Sequence, residues 1–289
     1  MTRKENHKNR SVICVLVLLA ISLPSFVATG QSLDAQRIYD RMVSVYATAQ
    51  TYQDRVTVTD VLFKPDGKQV LSTTERVGTI AFDQHTNRFR FDYQAGKPSF
   101  LDPGDQYIVG SDGRSVKTWW TEYNSIDSRS SLGEALEGAT SVSRGLTKDL
   151  PGLVMQDSVR VGWSLGVMTN LQYLGMEKLN GKLCYQISGI DQSGKQLVLW
   201  IDQSSGTLQG IDKGKNRLSS AYPGLTTLRF APVLNQPIAA QDVAFNIPSI
   251  YWYWFRLSIS ALLGIVPAVL IALIVNWLYN RLRKRVLTI

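Results

Sequence analysis

The chain has 289 residues, enough for one large domain or two small ones, and a formal charge of +8. That excess sits at the ends: Arg3, Lys4, Lys8 and Arg10 precede Gln31, and Arg256, Arg281, Arg283, Lys284 and Arg285 follow Ile250, while residues 31–250 are formally neutral. The basic balance is thus no argument for a nucleic-acid partner, and with Cys184 as the one cysteine beyond residue 30 an intrachain disulfide is excluded there.

The first element, residues 1–30, reads as a signal peptide. A basic stretch runs to Arg10, an apolar run follows from Val12 to Leu23, and small residues stand at Ala28-Thr-Gly30. The exported domain is expected over 31–248. It opens with a helix from Ser32 to Ala49, in which Ile38, Met42, Val45 and Ala49 recur at helical spacing.

Strands follow. Arg55–Phe63 is rich in Val and Thr, and Lys64-Pro-Asp-Gly-Lys68 is a turn leading into Val70–Phe82. Arg88 to Tyr93 alternates aromatic and charged residues with period two. Asp105–Gly110 and Arg114–Glu122 form a hairpin pattern that contains Trp119 and Trp120. Between Ser130 and Leu153 the pattern becomes helical, with Ser131 and Glu134 placed to cap a short helix through Ala139. Further strands are expected at Lys182–Gly189, Lys195–Asp202, Thr207–Ile211, Thr226–Phe230 and Asp242–Ile247. Asp191 to Gly194 and Asp202 to Gly206 punctuate this region as near-duplicate turns. The class is α+β, an antiparallel sheet with helices on one face.

Residues 249–280 read as a membrane span with aromatic flanks. Leu257 to Tyr279 carries no charge, and at ~1.5 Å per residue it reaches ~34 Å, enough for a hydrocarbon core of ~30 Å. Trp252, Trp254, Trp277 and Tyr279 are expected as interface anchors. The tail 281–289, with Arg281, Arg283, Lys284 and Arg285, sets the topology: it stays cytoplasmic and the main domain lies across a bacterial inner membrane, in the periplasm.

Chemistry is sparse in this pattern. His85 is the one histidine after the signal peptide, so neither a zinc cluster nor a Ser-His-acid arrangement is supported. No phosphate-binding glycine motif is present. Asp54 with Glu75, and Glu134 with Glu137, are the acid pairs to consider, and a solvated face explains the second. No enzyme activity, cofactor or metal is expected. Phe63, Phe82, Phe89, Phe91, Tyr107, Trp119, Leu199 and Phe245 all fall in expected strands, either as plain core or as the lining of an apolar cavity.

Several stretches carry a resemblance. Ile38-Tyr-Asp-Arg-Met42, Tyr46 and Thr51-Tyr-Gln-Asp54 open it, and Ser131-Leu-Gly-Glu-Ala-Leu136 and Leu150-Pro-Gly-Leu153 continue it. Leu174-Gly-Met-Glu-Lys178, Gly181-Lys-Leu-Cys-Tyr185, Leu199-Trp-Ile-Asp202, Thr226 to Pro232 and Phe245-Asn-Ile-Pro248 complete it. In order and spacing they resemble the outer-membrane lipoprotein carrier and sorting (LolA-like) superfamily, nearest to its exported members of unknown function. The resemblance implies a half-barrel: a strongly curved antiparallel sheet covered by one long N-terminal helix and a short helical insert, here with a C-terminal transmembrane helix added. It also implies a cavity for a lipid or for the acyl chain of a lipoprotein. Ile38, Met42 and Val45 would cover it, and Phe89, Phe91, Trp119, Leu199 and Phe245 are its candidate lining. A membrane-fixed chain cannot shuttle as soluble carriers do, so a receptor, handover station or lipid-state sensor is expected. The second expectation is an interaction module that engages an inner-membrane protein.

Overall fold

Alternation of apolar and polar residues organises a computed structural model in which residues 30–96, 104–143, 145–149, 165–217, 222–247, 258–259, 261–263 and 265–277 are described. Helix α1 (Gly30–Ala47) precedes β1 (Thr51–Phe63), β2 (Val70–Asp83), β3 (Arg88–Ala95), β4 (Asp105–Ser111), β5 (Val116–Trp120) and β6 (Ser125–Arg129). Two short helices, α2 (Leu132–Val142) and α3 (Leu146–Asp149), form the insert. Then come β7 (Thr169–Leu179), β8 (Lys182–Ile190), β9 (Gln196–Asp202), β10 (Leu208–Arg217), β11 (Pro223–Arg229) and β12 (Val233–Leu234).

All strands join one 12-stranded sheet in the order β6-β5-β4-β3-β2-β1-β11-β10-β9-β8-β7, with β12 also paired to β1. Every pairing is antiparallel. The chain thus builds two meanders, and β1 pairing with β11 welds the first to the second. Residue parity assigns the faces, because paired residues share a face and neighbours along a strand do not. Tyr52, Phe82 and Phe89 lie on the helix-covered face, as do Val58, Leu228, Ile211, Leu199 and Ile187. They belong to a single buried cluster with Met42, Tyr46, Leu136 and Leu146 from the helices.

The insert is held at its start by a cap. Ser131 Oγ accepts from the Glu134 N–H at 3.1 Å, and the Glu134 carboxylate accepts from the Ser130 N–H at 2.9 Å. The first bond satisfies an amide that a helix start leaves open, and the second ties the residue before the cap to the first turn. Burial and polar bonds then hold the insert down: Ala135, Leu136 and Ala139 face inward, and Lys213 reaches Asp149 at 2.5 Å.

Three expectations need correction. Among the described residues the sheet is open and uncurled, with β6 and β7 as its edges, so the fold is an antiparallel sheet with a few helices and not the strongly curved half-barrel expected. The N-terminal helix has 18 residues, about 27 Å of helix, and packs on β7 and β8 while α2 packs on β4 to β6, so no single helix covers the face. Residues 242–247 are not a strand. β1 already pairs with β2 on one side and with β11 and β12 on the other, so this segment lies across the sheet.

Among the described residues no helix is long and apolar enough to cross a membrane. Residues 265–277 are helical with exposed side chains. The membrane-spanning helix expected over 249–280 is therefore not met among the described residues. The expected signal peptide up to residue 29, Trp252, Trp254, Tyr279 and the tail residues Arg281, Arg283, Lys284 and Arg285 lie outside them.

Candidate functional site

The cavity candidates divide by burial and by face. Met42, Phe89, Phe91 and Leu199 are fully buried, at 0% exposure, inside the common core. The space between helix and sheet is filled at those positions. Trp119 lies on the opposite face: Phe91 pairs with Val109 and Val109 with Thr118, so the next residue points away. Phe245 is also on that outer face, where it packs over Gly110; a Cβ at Gly110 would stand 2.7 Å from the Phe245 ring. Val45 sits over the β9–β10 turn, 3.2 Å from where a Gly206 Cβ would be. The structure thus brings Ile38, Met42, Val45, Phe89, Phe91 and Leu199 to one side of the sheet and leaves Trp119 and Phe245 on the other.

An opening remains beside Ile38. A cleft of about 370 Å³ lies between the first half of α1 and β7 to β9, lined by Arg37, Ile38 and Arg41 from the helix and by Tyr173, Tyr185 and Ile201 from the sheet. The two tyrosine rings meet edge-on with centroids 6.3 Å apart. Beyond them the same face continues through Met176 and Leu183, which are 51% and 40% exposed. The result is an apolar strip that starts in the cleft and runs out toward the free edge of β7.

Arg41 closes one end of the cleft. It donates to the carbonyls of Gln203 at 3.1 Å and Ser204 at 2.7 Å, both in the β9–β10 turn. That turn is built by Asp202, whose Oδ1 accepts from the Ser204 N–H at 2.8 Å and the Ser204 hydroxyl at 2.6 Å. Burial opposes ionisation of Asp202, yet the bonds from Ser204 and Ser205 hold its carboxyl below the usual range. Asp191 repeats the device at the other end of β9 with bonds from Ser193 and Lys195. The aspartates of the duplicate turns are turn-builders, and the strand between them packs Leu197, Leu199 and Ile201 into the core. Its other face is half-buried, with Trp200 donating to Asp212 at 2.8 Å and lying under Arg229.

A second polar feature lies where β1 begins. Asp54 is buried and accepts from the Tyr52 hydroxyl at 2.8 Å and from the Ala231 N–H at 2.7 Å. Burial pushes its carboxyl up to about 7, against these two bonds and the nearby Lys182 charge. Tyr52 in turn meets Tyr46 edge-on, and the Tyr46 hydroxyl accepts from the Leu208 N–H at 3.1 Å. The cluster ties α1, β1, β10 and the segment after β11 together. Asp54 is not paired with Glu75, because β1–β2 register sets Asp54 opposite Ile80 and Glu75 opposite Thr59.

Cys184 is buried, and burial first, then the Asp202 charge, pushes its thiol up, away from the reactive thiolate. His85 lies in the exposed β2–β3 turn. Among the described residues no three His, Cys, Asp or Glu side chains gather as a metal site. Tyr173, Tyr185, Arg37 and Arg41 did not stand out in the sequence. The tyrosines stand on the two arms of one hairpin, and the β7–β8 register, with its irregularity between Tyr173 and Gly175, brings them together.

No family model matches the chain, and no curated protein matches it. Among solved structures it is similar to an uncharacterised conserved protein from Thermus thermophilus, at 12% identity and TM-score 0.39, covering 74% of this chain and 94% of that one. It is also similar to a DUF1329 family protein from Desulfovibrio piger, at 12% identity and TM-score 0.31, covering 73% and 97%. A third likeness is to the MucA/MucB complex of Pseudomonas aeruginosa, at 10% identity and TM-score 0.37, covering 74% of this chain and 61% of that one.

Proposed function

We propose that this protein is a non-covalent binding module for an apolar chain, a lipid or the acyl chain of a lipoprotein, held in the cleft between α1 and β7 to β9. The observation that carries the reading is the cleft itself. It is bounded by Ile38, Ile201 and two tyrosine rings, has a volume of about 370 Å³, and opens onto the exposed apolar strip of Met176 and Leu183. That volume falls in the range of small-molecule sites, and covering such a strip removes apolar surface from water. The cleft holds part of a chain, with the remainder lying along the strip.

The proposed setting is the periplasmic side of a bacterial inner membrane. It rests on the uncharged run from Leu257 to Tyr279, its aromatic flanks and the basic tail. The exposed side chains of residues 265–277, among them Ile271 at 62% and Trp277 at 57%, fit a helix surrounded by lipid. Cysteine labelling from either side of the membrane at residues 240 and 286 tests the topology, and equal labelling at both from one side defeats it.

A second reading, an envelope sensor or protein-interaction module, draws on β7. Among the described residues nothing pairs with its outer edge, and Leu174 and Met176 on it are each 51% exposed, the features of a strand that another chain can extend. Native mass spectrometry of the full chain in detergent, with lipid extraction, separates the two. Bound lipid that disappears in Ile38→Asp supports the cleft. Empty protein that instead retains a partner sensitive to Leu174→Lys supports the second reading.

A further inference from the structure

The face of the sheet away from the helices carries a second cavity, larger and polar. Beyond β12, residues 235–247 cross this face as a strap. One end is fixed by Asn235, which donates its N–H to the Thr51 carbonyl at 3.0 Å and accepts from the Gln50 N–H at 2.8 Å. The other end is fixed by Arg90, which donates to the carbonyls of Ala244 and Asn246. Between these anchors the strap stands off the strands and leaves about 510 Å³ over β1, β2 and β3.

The charges in this cavity are unequally committed. Arg90 and Asp92 neutralise each other through bonds of 2.8 and 3.1 Å. Asp54, opposite Ile80, turns its carboxylate to the helix-covered face, where it already accepts from Tyr52 and Ala231. Arg55, on the cavity side of β1, makes no ion pair or side-chain hydrogen bond among the described residues. Asp242, on the strap, accepts a single amide bond, from Gln53 Nε2 at 3.2 Å. The site therefore presents one uncommitted cation and one lightly committed carboxylate, with the Gln53, Gln241 and Asn246 amides beside them.

Their spacing favours one class of ligand. Gln53, which holds Asp242, and Arg55 are two apart on β1 and share a face, so the roots of the two side chains stand about 7 Å apart along the strand. The ammonium and carboxylate of an extended dipeptide are separated by about 6 Å, since its Cα atoms are about 3.8 Å apart. We propose that the cavity under the strap binds the zwitterionic form of a short peptide, with its carboxylate on Arg55, its ammonium on Asp242 and its amide bond among the side-chain amides. A guanidinium suits the carboxylate because its planar donors match two oxygens at once. The strap bonds to Arg90 need not break for such a ligand to enter from the open side.

Saturation-transfer NMR and calorimetry on the full chain in detergent test this with L-alanyl-L-alanine as the probe. Binding with Kd on the order of 1 mM is expected for so small and polar a ligand, weakening with salt because both contacts are charged. N-acetyl-L-alanyl-L-alanine and L-alanyl-L-alaninamide, each lacking one charge, are expected to bind about tenfold more weakly or not at all. Arg55→Gln and Asp242→Asn are expected to weaken the zwitterion about tenfold. Asn at 242 still accepts from Gln53, and Arg55 is exposed, so thermal melts of both variants should match the parent. No detectable binding at about tenfold above that Kd overturns the proposal. So does binding that either variant leaves unchanged, or equal binding of the two blocked peptides and the zwitterion.

Discussion

Adjacent residues of β3 show how differently the two faces of the sheet are covered. Phe91 points toward the helices into a cluster sealed from water, while Arg90 points the other way and holds a strap by its backbone carbonyls. On the helix side the contacts are mostly apolar and fill space, with the Arg76–Asp60 and Lys213–Asp149 pairs among them, and a cleft stands at the rim. On the strap side Ile108, Trp119 and Val243 are buried, yet Arg90 holds the strap by directional polar bonds and a larger cavity survives beneath it. The first face carries the stability, because area removed from water dominates folding. The second is free to hold polar groups apart, because its hydrogen bonds to exposed backbone add little net stability.

The largest expected effect tests the sealed face. Phe91→Ala empties a site with no exposure, between Phe89, Val109 and the helices, and should cost about 3–5 kcal/mol in chemical denaturation. If its cost falls below about 1 kcal/mol, the helix-covered face is not the main source of stability and the contrast fails.

Asp54, near the start of β1, is one of the charged groups enclosed on the helix side, together with the Arg76–Asp60 pair. Its proton affinity is raised by burial to about 7, whereas in the unfolded chain it titrates near the ordinary aspartate value. The native state thus binds the proton more tightly than the unfolded state. Its contribution is fully present below the unfolded value and is lost as pH rises from about 4 to about 7, flattening above that. Asp54→Asn should remove this slope. The stability of the variant relative to the parent should therefore rise across that window, by on the order of 4 kcal/mol at most. Urea titrations at about pH 4.5, 6 and 8 bracket the window and read it. A variant that tracks the parent at all three would show that Asp54 is not held against ionisation.

Arg90→Ala acts on the other face and should barely move global unfolding, by about 1–2 kcal/mol, because Arg90 is only partly buried. Hydrogen exchange should instead rise locally at residues 244–247, whose anchor is gone, while amides of β3 keep their protection.

The split between the faces was only partly legible in the sequence. The alternation of Arg88 to Tyr93 is period two without interruption, so which of its residues are buried together follows directly. Trp119 and Trp120 are adjacent aromatics, and a strand must put one on each face. Nothing local says which, and the β4–β5 register decides it. Residues 242–247 alternate as a strand would, but β1, β3 and β4, which they cross, already have partners on both sides. The strand β7 is punctuated by irregular pairing on both sides of Tyr173, which blurs its period and hid the cleft tyrosines. In each case the missing information was the pairing partner, a property of distant residues. The Asp191 and Asp202 turns, by contrast, are local hydrogen-bond devices and were readable as such.

The smallest effect concerns the one aromatic anchor of the strap. Phe245 lies against Gly110, and an alanine there would put its Cβ 2.7 Å from the ring and 3.0 Å from the Phe245 Cβ. Gly110 has no positive φ to protect, so steric contact alone sets the cost. Gly110→Ala should cost about 1 kcal/mol as the strap shifts outward, at the low end for overpacking because Phe245 is only half-buried and can move. The contact argument demands more than a loss. In a Phe245→Ala background the same substitution should cost nothing beyond about 0.5 kcal/mol, since the opposing ring is absent. A cost that persists there would place the conflict within the sheet itself and would mean that the strap rests on its polar bonds alone.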